Sequence, residues 1–380
     1  MVRYQVKNDQ GASMKQFDLA VAGVKLILKE NVLAVLSDAP LNTVSSAFHN
    51  GGGLKKTNAI LNVEVLKSCS DRLLHGNPEL YIMDSAKKFG LNENFIGMVT
   101  AASVENFAQV SKKEGELAVS AIATASDNEG NTCNYSESAG EPIVTERIEG
   151  TINIIVVIDG NPTESCLVGS LITITEAKAA ALSELDIRSR YSGHEATGTI
   201  TDAVVVGKTN RGPQLVYSGP ASKLGQLVGY CTKKAVKEAV MRAAECMSCR
   251  SIIARLRERH FPIEKMASEL SKNIDLNMDK ETLESYLDKT LRNDPVSVCT
   301  VMAALKMDED VEKGLLPPEL GNIEETSKKF GEIFRPCQTS SAALTDSTSL
   351  DTVNLPPFLK QVLTSMVKNA LSDRKTENLK

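Results

Sequence analysis

Short apolar runs broken by glycine, asparagine and aspartate predict a series of β-strands over residues 17–217. Residues 24–28 and 32–36 flank three polar residues and are typical of a hairpin. Residues 151–158 form one continuous apolar run, which indicates a central strand covered on both faces. The other predicted strands are residues 59–65, 95–101, 116–124, 203–207 and 214–217.

Helical spacing of apolar residues appears first at residues 78–89, 166–185 and 224–259. The second of these follows Asn161-Pro162, which offers a cap and a proline at the first helical position. The third contains no proline and is predicted as one long helix. Strand signals stop after Pro262, and the later helices are predicted at residues 264–276, 280–292, 296–307, 323–334 and 358–371.

These patterns predict an α+β fold in two parts. Residues 1–245 are expected to form a mixed β-sheet domain packed with helices, and residues 246–380 an all-helical C-terminal extension. Within the extension, the serine- and threonine-rich residues 337–354 are expected to be flexible. The length of 380 residues agrees with two units, because a single domain typically holds about 150 residues.

Composition excludes several functional classes. A net charge of −5, an aromatic content of 4% and the absence of tryptophan argue against a nucleic-acid partner. The first ten residues lack the apolar core of a secretory signal. The most strongly apolar run is far shorter than the ~20 residues of a membrane-spanning helix, so no membrane partner is expected.

The distribution of cysteines and the absence of zinc-binding and phosphate-binding motifs narrow the functional class of the protein further. Eight cysteines are scattered along the chain, as in a protein with reduced thiols, and we expect a cytoplasmic protein. The pair Cys246 and Cys249 has no second pair at zinc spacing. No glycine-rich phosphate motif occurs, so the sequence predicts neither a metal site nor a cofactor.

One candidate for chemistry is the polar segment of residues 45–53. Its three glycines expose backbone N–H groups that could bind a carbonyl oxygen or an oxyanion, and Ser46, His49 and Asn50 supply further polar groups. The alternative is a mobile loop without a catalytic role.

Two later segments contain the carboxylates that could transfer protons. Glu176 follows an apolar stretch, and partial desolvation there would suit it to general acid–base chemistry. An ordinary solvated helix glutamate is the alternative. Asp202 lies at the mouth of the predicted strand 203–207, where it could orient a hydroxyl, a water molecule or His194. A turn capped by threonine and aspartate is the competing interpretation.

Taken in order, these segments resemble the adenosylcobinamide amidohydrolase family, which acts in corrinoid salvage. The likeness covers residues 18–240 and depends on the ordered set rather than on any single motif. The matching stretches are residues 36–42, 50–52, 60–62, 100–102, 150–159, 175–182, 196–199, 201–202 and 223–225.

The resemblance implies a reaction and a small-molecule corrinoid partner. Members of the family hydrolyse the amide between the aminopropanol arm and the corrin ring of adenosylcobinamide, giving adenosylcobyric acid and 1-amino-2-propanol. Such an enzyme needs a nucleophile, donors for the oxyanion and an acid for the leaving amine. From residue chemistry, the predicted catalytic residues are Glu176, Asp202, Ser46 and Thr100. The predicted substrate-binding residues are Asn50, Gly51, Gly52, Asn62, Thr175, Thr197, Gly198 and Thr199.

Three departures from the family pattern bear on activity. Residue 200 is isoleucine where relatives tend to have glycine, and its bulk would hinder close approach to the backbone. A histidine that relatives tend to show near residues 219–223 is missing, and His194 is a conceivable substitute. The segment of residues 40–51 is longer than usual.

Two other functions stay open at this point. One is a non-catalytic corrinoid-binding or regulatory protein on the same fold, and the other is an amidase for an unrelated small amide. The helical extension could form a homo-oligomer or pack on the first domain. All site predictions assume that Asn50, Glu176 and Asp202 converge on a single cleft.

Overall fold

The computed structural model describes residues 14–65, 78–126, 151–243, 250–273, 276, 278–333 and 353–377. The chain divides into two compact units, Met1–Cys249 and Arg250–Lys380. Among the described residues, the first unit contains the sheet and three helices, and the second is helical. The predicted α+β fold is therefore confirmed.

The first unit is built on a mixed sheet of nine strands. Their order is β1-β2-β3-β10-β8-β7-β6, with β4 paired to both β3 and β5. Strands β9 and β11 form a separate small pair, and β8 and β10 are parallel neighbours. The strands are β1 Met14–Asp18, β2 Val24–Lys29, β3 Val32–Ser45, β4 Gly52–Glu64, β5 Phe95–Thr100, β6 Ala108–Glu114, β7 Leu117–Ala125, β8 Ile152–Asp159, β9 Asn161–Pro162, β10 Ala203–Lys208 and β11 Gln214–Leu215.

Strand β3 connects two leaves of the sheet. It pairs with β2 over residues 32–37 and with β10 over residues 42–45, and its register with β4 shifts between these stretches. Because such irregularities bend a strand, the sheet curls and its two inner faces meet. Leu33 and Ile60 of one leaf share a buried core with Ile155 and Val205 of the other.

Helices cover the outer faces of both leaves. Helices α2 and α3 pack on the leaf that contains β8 and β10, where Ile154 and Val206 contribute to their common core. Helix α1 packs on the other leaf through Ile82. Side chains alternate along a strand, so neighbouring residues of β10 face either the helices or the inner core. The helices are α1 Pro78–Lys87, α2 Glu164–Glu184 and α3 Lys223–Ala243.

Helix α2 has the length and composition of a membrane-spanning helix. The short apolar runs of the sequence did not predict this property. Buried core helices of globular proteins meet the same criteria. Here Leu167, Ile174 and Leu182 are buried in the core beneath the helices. The Thr163 side chain caps the helix by accepting a hydrogen bond from the Cys166 N–H at 3.2 Å.

Four segments differ from the sequence predictions. The predicted helix 224–259 is interrupted, because α3 ends at Ala243 and Ser251 caps a new helix by accepting from the Ala254 N–H. Strands β1 and β6 were not predicted, because exposed polar residues hide their alternation. The glycine segment at residues 45–53 is a short turn, because β3 continues to Ser45 and β4 begins at Gly52.

The second unit packs six described helices around a leucine-rich core. Asp294 caps α7 by accepting from the Ser297 N–H at 3.1 Å, and Gly314 ends the same helix with a φ of 65°. Most of the predicted flexible segment 337–354 lies outside the described residues. The helices are α4 Ile252–Glu258, α5 Ile263–Leu270, α6 Lys280–Asn293, α7 Pro295–Lys313, α8 Ile323–Glu332 and α9 Pro357–Glu377.

The second unit buries one aspartate in this core. The two oxygens of Asp308 accept the N–H groups of Phe358 and Leu359, both at 2.8 Å, at the start of α9. These are two of the N–H groups that a helix start leaves unpaired. Burial raises the pKa of Asp308 to about 6 despite these two hydrogen bonds. Asp308 therefore serves as a cap supplied by a neighbouring helix.

Candidate active site

Asp202, which directly precedes β10, accepts four hydrogen bonds. One of its oxygens accepts the Ile152 N–H at 2.8 Å and the Thr199 hydroxyl at 2.6 Å. The other accepts the Thr199 N–H at 3.1 Å and an N–H of the Lys178 ammonium. Asp202 thereby ties together the starts of the parallel strands β8 and β10, helix α2 and the turn before β10.

Lys178 and Gly198 complete this group. Lys178 lies on α2 with 8% of its surface exposed, and it forms an ion pair with Asp202. A Cβ atom at residue 198 would overlap the Asp202 carboxylate and would lie 2.6 Å from Lys178 Nζ. The backbone at residue 198 must therefore lie directly against the ion pair. We call Lys178, Gly198, Thr199 and Asp202 the ion-pair cluster.

A second polar group lies on the inner side of the same strand edge. Asn153 of β8 donates to Asn62 Oδ1 and to the Val99 carbonyl, both at 2.8 Å, and accepts from the Ala203 N–H at 3.2 Å. Asn62 in turn donates to the Thr124 hydroxyl at 2.9 Å. This buried network links the two leaves immediately beside the residue that follows Asp202.

Ser46 and Thr100 also lie at this edge of the sheet. Ser46 follows β3, and its hydroxyl accepts the Val204 N–H at 3.0 Å, two residues beyond Asp202. Two residues of extended strand span roughly 7 Å. Thr100 ends β5, next to the Val99 carbonyl that Asn153 contacts, but it is buried and its hydroxyl accepts the Ala102 N–H. Ser46 is exposed and Thr100 is not.

The turn between β3 and β4 points its polar groups toward β5. Asn50 donates to the Phe95 carbonyl at 3.0 Å and contacts His49 Nε2 at 3.1 Å, while His49 Nδ1 lies 3.0 Å from Glu79 Oε1. A Cβ at Gly51 would overlap the Ala47 carbonyl oxygen, and Gly52 has a φ of 102°. The turn therefore needs both glycines for its own geometry.

Glu176 lies apart from the ion-pair cluster. It is exposed in a groove of about 410 Å³ between α2 and α3, which Ala177, Gly229 and Tyr230 also line. Residues two apart on a helix point in nearly opposite directions, and Lys178 faces Asp202. Thr175 is exposed one turn before Lys178 on that helix, and its hydroxyl donates to the Leu171 carbonyl at 2.8 Å.

The predicted site residues therefore do not all meet, because Glu176 lies in the helix groove, on the side of α2 away from Asp202. Asp202, Thr199, Gly198, Ser46, Asn62 and Thr100 lie at the edge formed by the starts of β8 and β10, and the half-buried Thr197 directly precedes Gly198. Asn50, Gly51 and Gly52 form the β3–β4 turn, and Glu176 lies in the helix groove. Sequence reasoning did not assign roles to Lys178, Asn153 and Thr124. The spacing of Lys178 from Leu171, Ile174 and Leu182 was a usable signal, because it places a lysine on the buried face of α2.

Two buried cysteines of the first unit, Cys166 and Cys231, are other potential nucleophiles among the described residues. Burial raises the pKa of the Cys166 thiol and raises that of Cys231 to about 11, so neither is a thiolate at neutral pH. No group of three or more His, Cys, Asp or Glu side chains in this part of the chain is placed to hold a metal ion. Ile200, beside Thr199, is 58% exposed.

Two curated proteins resemble the first unit. The chain is 33% identical over 171 residues to Uncharacterized protein MJ1613 of Methanocaldococcus jannaschii, which covers 41% of this chain and 66% of that protein. It is 30% identical over 219 residues to the adenosylcobinamide amidohydrolase of Methanosarcina mazei, which covers 55% of this chain and 94% of that protein.

Similarity to solved structures is weaker. The PH0078 protein of Pyrococcus horikoshii gives a TM-score of 0.31 at 12% identity, over 64% of this chain and 84% of that chain. A Burkholderia β-aminopeptidase gives a TM-score of 0.29 at 11% identity, over 67% and 84% of the two chains. Scores at this level do not establish a shared fold.

The family model for adenosylcobinamide amidohydrolase (CbiZ) matches residues 19–247. The match includes every strand of the described sheet except β1, which ends at Asp18. It also includes the ion-pair cluster and the groove that holds Glu176. The chain therefore belongs to the adenosylcobinamide amidohydrolase family.

Proposed function

We propose that this protein hydrolyses the aminopropanol amide of adenosylcobinamide, giving adenosylcobyric acid and 1-amino-2-propanol for corrinoid salvage in the cytoplasm. The observation that carries the proposal is the family match over residues 19–247. It is supported by 30% identity to an adenosylcobinamide amidohydrolase that the chain covers over 94% of its length.

The strand edge at Asp202 suits amide hydrolysis better than the β3–β4 turn or the groove between α2 and α3. Hydrolysis of an amide requires donors for the oxyanion together with groups that hold a nucleophile and transfer a proton. The ion-pair cluster combines an ammonium, a carboxylate and a hydroxyl within direct hydrogen-bond reach, and Ser46 adds a second, exposed hydroxyl nearby. We assign the reaction to this edge.

The remaining predicted residues divide between two roles in this proposal. Thr197, Gly198, Thr199 and Thr175 lie beside the ion-pair cluster or one helical turn from it, and we assign them to substrate contact. The buried Asn62 and Thr100 support the edge from the inner side.

The direct test is incubation of the purified full chain with adenosylcobinamide, followed by mass spectrometry of the products. We expect adenosylcobyric acid and 1-amino-2-propanol in equal amounts, and a parallel incubation with a chelator tests for a metal requirement. Binding of adenosylcobinamide without release of the amine would instead identify a corrinoid-binding protein. Turnover of other small amides but not of this one would contradict the substrate assignment.

Two substitutions separate the strand edge from the helix groove. We expect Asp202→Asn to lower kcat about 100-fold, as loss of a group that organises an active site commonly does. Glu176→Gln in the groove should retain nearly full activity. The reverse pattern would move the reaction to the groove.

We also propose that the helical extension mediates self-association. Light scattering of the full chain measures this directly. A monomeric mass at micromolar concentration would contradict the proposal.

A further inference from the structure

Lys178 has more hydrogen-bond donors than its surroundings use. An ammonium has three N–H donors, and a buried donor without an acceptor is costly. Lys178 is buried, and one N–H goes to Asp202. Among the described residues, no second acceptor contacts Lys178 Nζ. Two donors of a buried cation are therefore available to a ligand.

The ion pair is accessible from one side. The side chains of Lys178 and Asp202 keep 10% and 11% of their surface exposed. The backbone of the buried Gly198 lies directly against both side chains, and the half-buried Thr199 follows it. A ligand carbonyl oxygen would reach Lys178 Nζ through the fraction of the ion pair that remains exposed.

The hydrogen bonds of Asp202 define its own role. Its two oxygens accept four hydrogen bonds, from Ile152, Lys178 and twice from Thr199, and a carboxylate has about four acceptor sites. No acceptor site remains for a substrate proton. Three of these bonds come from residues next to strand ends, so the carboxylate holds Lys178 in a fixed position.

We propose that Lys178 is a catalytic residue that donates an N–H to the carbonyl oxygen of the scissile amide, and that Asp202 is the positioning residue that holds it. This inference rests on the proposed amide hydrolysis and adds a residue and a role to it. The corresponding ligand chemistry is an amide carbonyl in the ground state and a tetrahedral oxyanion after nucleophilic addition.

The proposed hydrolysis has two reactants, the amide and one water molecule, and their atoms and electron pairs are all accounted for in the products. The water oxygen bonds to the carbonyl carbon, and the electron pair of the C=O π bond moves to oxygen, where the Lys178 N–H stabilises it. When the C=O bond re-forms, the C–N bond breaks and its electron pair stays on nitrogen. The nitrogen takes up the proton that the added water loses and leaves as the amine. Lys178 keeps its protons throughout.

Three variants test the catalytic role in the full chain: Lys178→Met, Asp202→Asn and the double variant. Methionine matches the lysine stem without donors, and the double variant removes both charges, so no buried ion is left unpaired. We expect kcat to fall about 100-fold in Lys178→Met with little change in KM, because an oxyanion contact acts mainly in the transition state. The double variant should be no slower than Lys178→Met, because the two residues act as one unit.

The surface pair Lys233 and Glu184, 2.6 Å apart on the same unit, provides the matched control. Lys233→Met combined with Glu184→Gln should leave kcat unchanged. A double variant at residues 178 and 202 that melts like the wild type and recovers wild-type kcat would show a purely structural ion pair and would overturn the proposal.

A binding measurement tests Lys178 independently of the corrinoid reaction. Methylphosphonate is a tetrahedral anion that can accept the free N–H groups, and its binding is followed by NMR shifts of the Gly198 and Thr199 amides. We expect binding at least about tenfold weaker in the neutral double variant than in the wild type, since charge-assisted hydrogen bonds are lost. Equal affinity in both proteins, or no binding to either, would overturn the role of Lys178. Failure of the wild type to cleave adenosylcobinamide with methylphosphonate binding intact would contradict only the proposed substrate.

Discussion

Two aspartates with little exposed side-chain surface, one in each unit, accept different sets of hydrogen bonds. Asp202 in the first unit receives four hydrogen bonds, one of them from a buried lysine. Asp308 in the second unit receives two backbone N–H groups at the start of α9, and no cation contact is recorded for it among the described residues. The comparison shows that the hydrogen-bond partners of a poorly exposed carboxylate distinguish a helix cap, as at Asp308, from a cluster that joins several elements, as at Asp202.

The largest expected effect on stability comes from breaking the ion pair at Asp202. Lys178→Met leaves the largely covered Asp202 carboxylate without its cation, and we expect a loss of about 3 kcal/mol in the free energy of unfolding. Adding Asp202→Asn should recover most of this loss, because neither charge then remains. Chemical denaturation of the single and double variants measures both values. Equal stability of the wild type and Lys178→Met would show that the other hydrogen-bond donors to Asp202 stabilise its charge without Lys178.

Asp308 should make the stability of the second unit depend on pH. Its folded pKa of about 6 lies above the ordinary value of 3.8, so the folded state binds a proton more readily than the unfolded state. Stability therefore rises as the pH falls from about 6 toward 3.8 and is lost as the pH rises through that window. Calorimetry at several pH values should show a smaller dependence in Asp308→Asn than in the wild type. An unchanged dependence would contradict the assignment.

Adding a methyl group at Gly198 should act locally on the ion-pair cluster. The new Cβ of Gly198→Ala would overlap the Asp202 carboxylate, and we expect a loss of about 1–3 kcal/mol together with loss of activity. Gly229→Ala is the matched control, because its Cβ would lie 3.6 Å from Thr173. That variant should fold and work normally, with a melting temperature equal to or above that of the wild type. Similar behaviour of the two variants would mean that residue 198 has room to shift.

The smallest expected effect is at Glu176. It is exposed in the groove between α2 and α3, and surface substitutions usually change stability by less than about 0.5 kcal/mol. Glu176→Gln should therefore leave the melting temperature unchanged. A large shift would show that the groove contributes to the fold.

The sequence was sufficient to predict local elements but not which side chains meet. The apolar run of residues 151–158 predicted β8, and the position of Asp202 before a predicted strand marked it as a candidate. Helical periodicity showed that Glu176 and Lys178 face different sides of α2, but it could not show which side covers the sheet. The partners of Asp202 include Lys178, 24 residues away, and Ile152, 50 residues away. Contacts over such separations depend on strand order, which a single sequence does not reveal.

The buried network on the inner side illustrates the same limit. Asn62 and Asn153 lie 91 residues apart and meet because β3 bends and brings the two leaves together. An asparagine in an apolar strand is a local exception that sequence reasoning can flag. Its partner follows only from the curl of the sheet, which the shift in the pairing of β3 and β4 produces.

The hydrogen bond from Ile152 to Asp202 has a consequence for synthesis of the chain. When β8 leaves the ribosome, the carboxylate that will hold its first residue has not yet been made, and α2 with its lysine comes between them. The ion-pair cluster can form only after translation has passed Asp202, which precedes β10. A nascent chain that stops before Asp202 should therefore exchange the amide hydrogen of Ile152 rapidly.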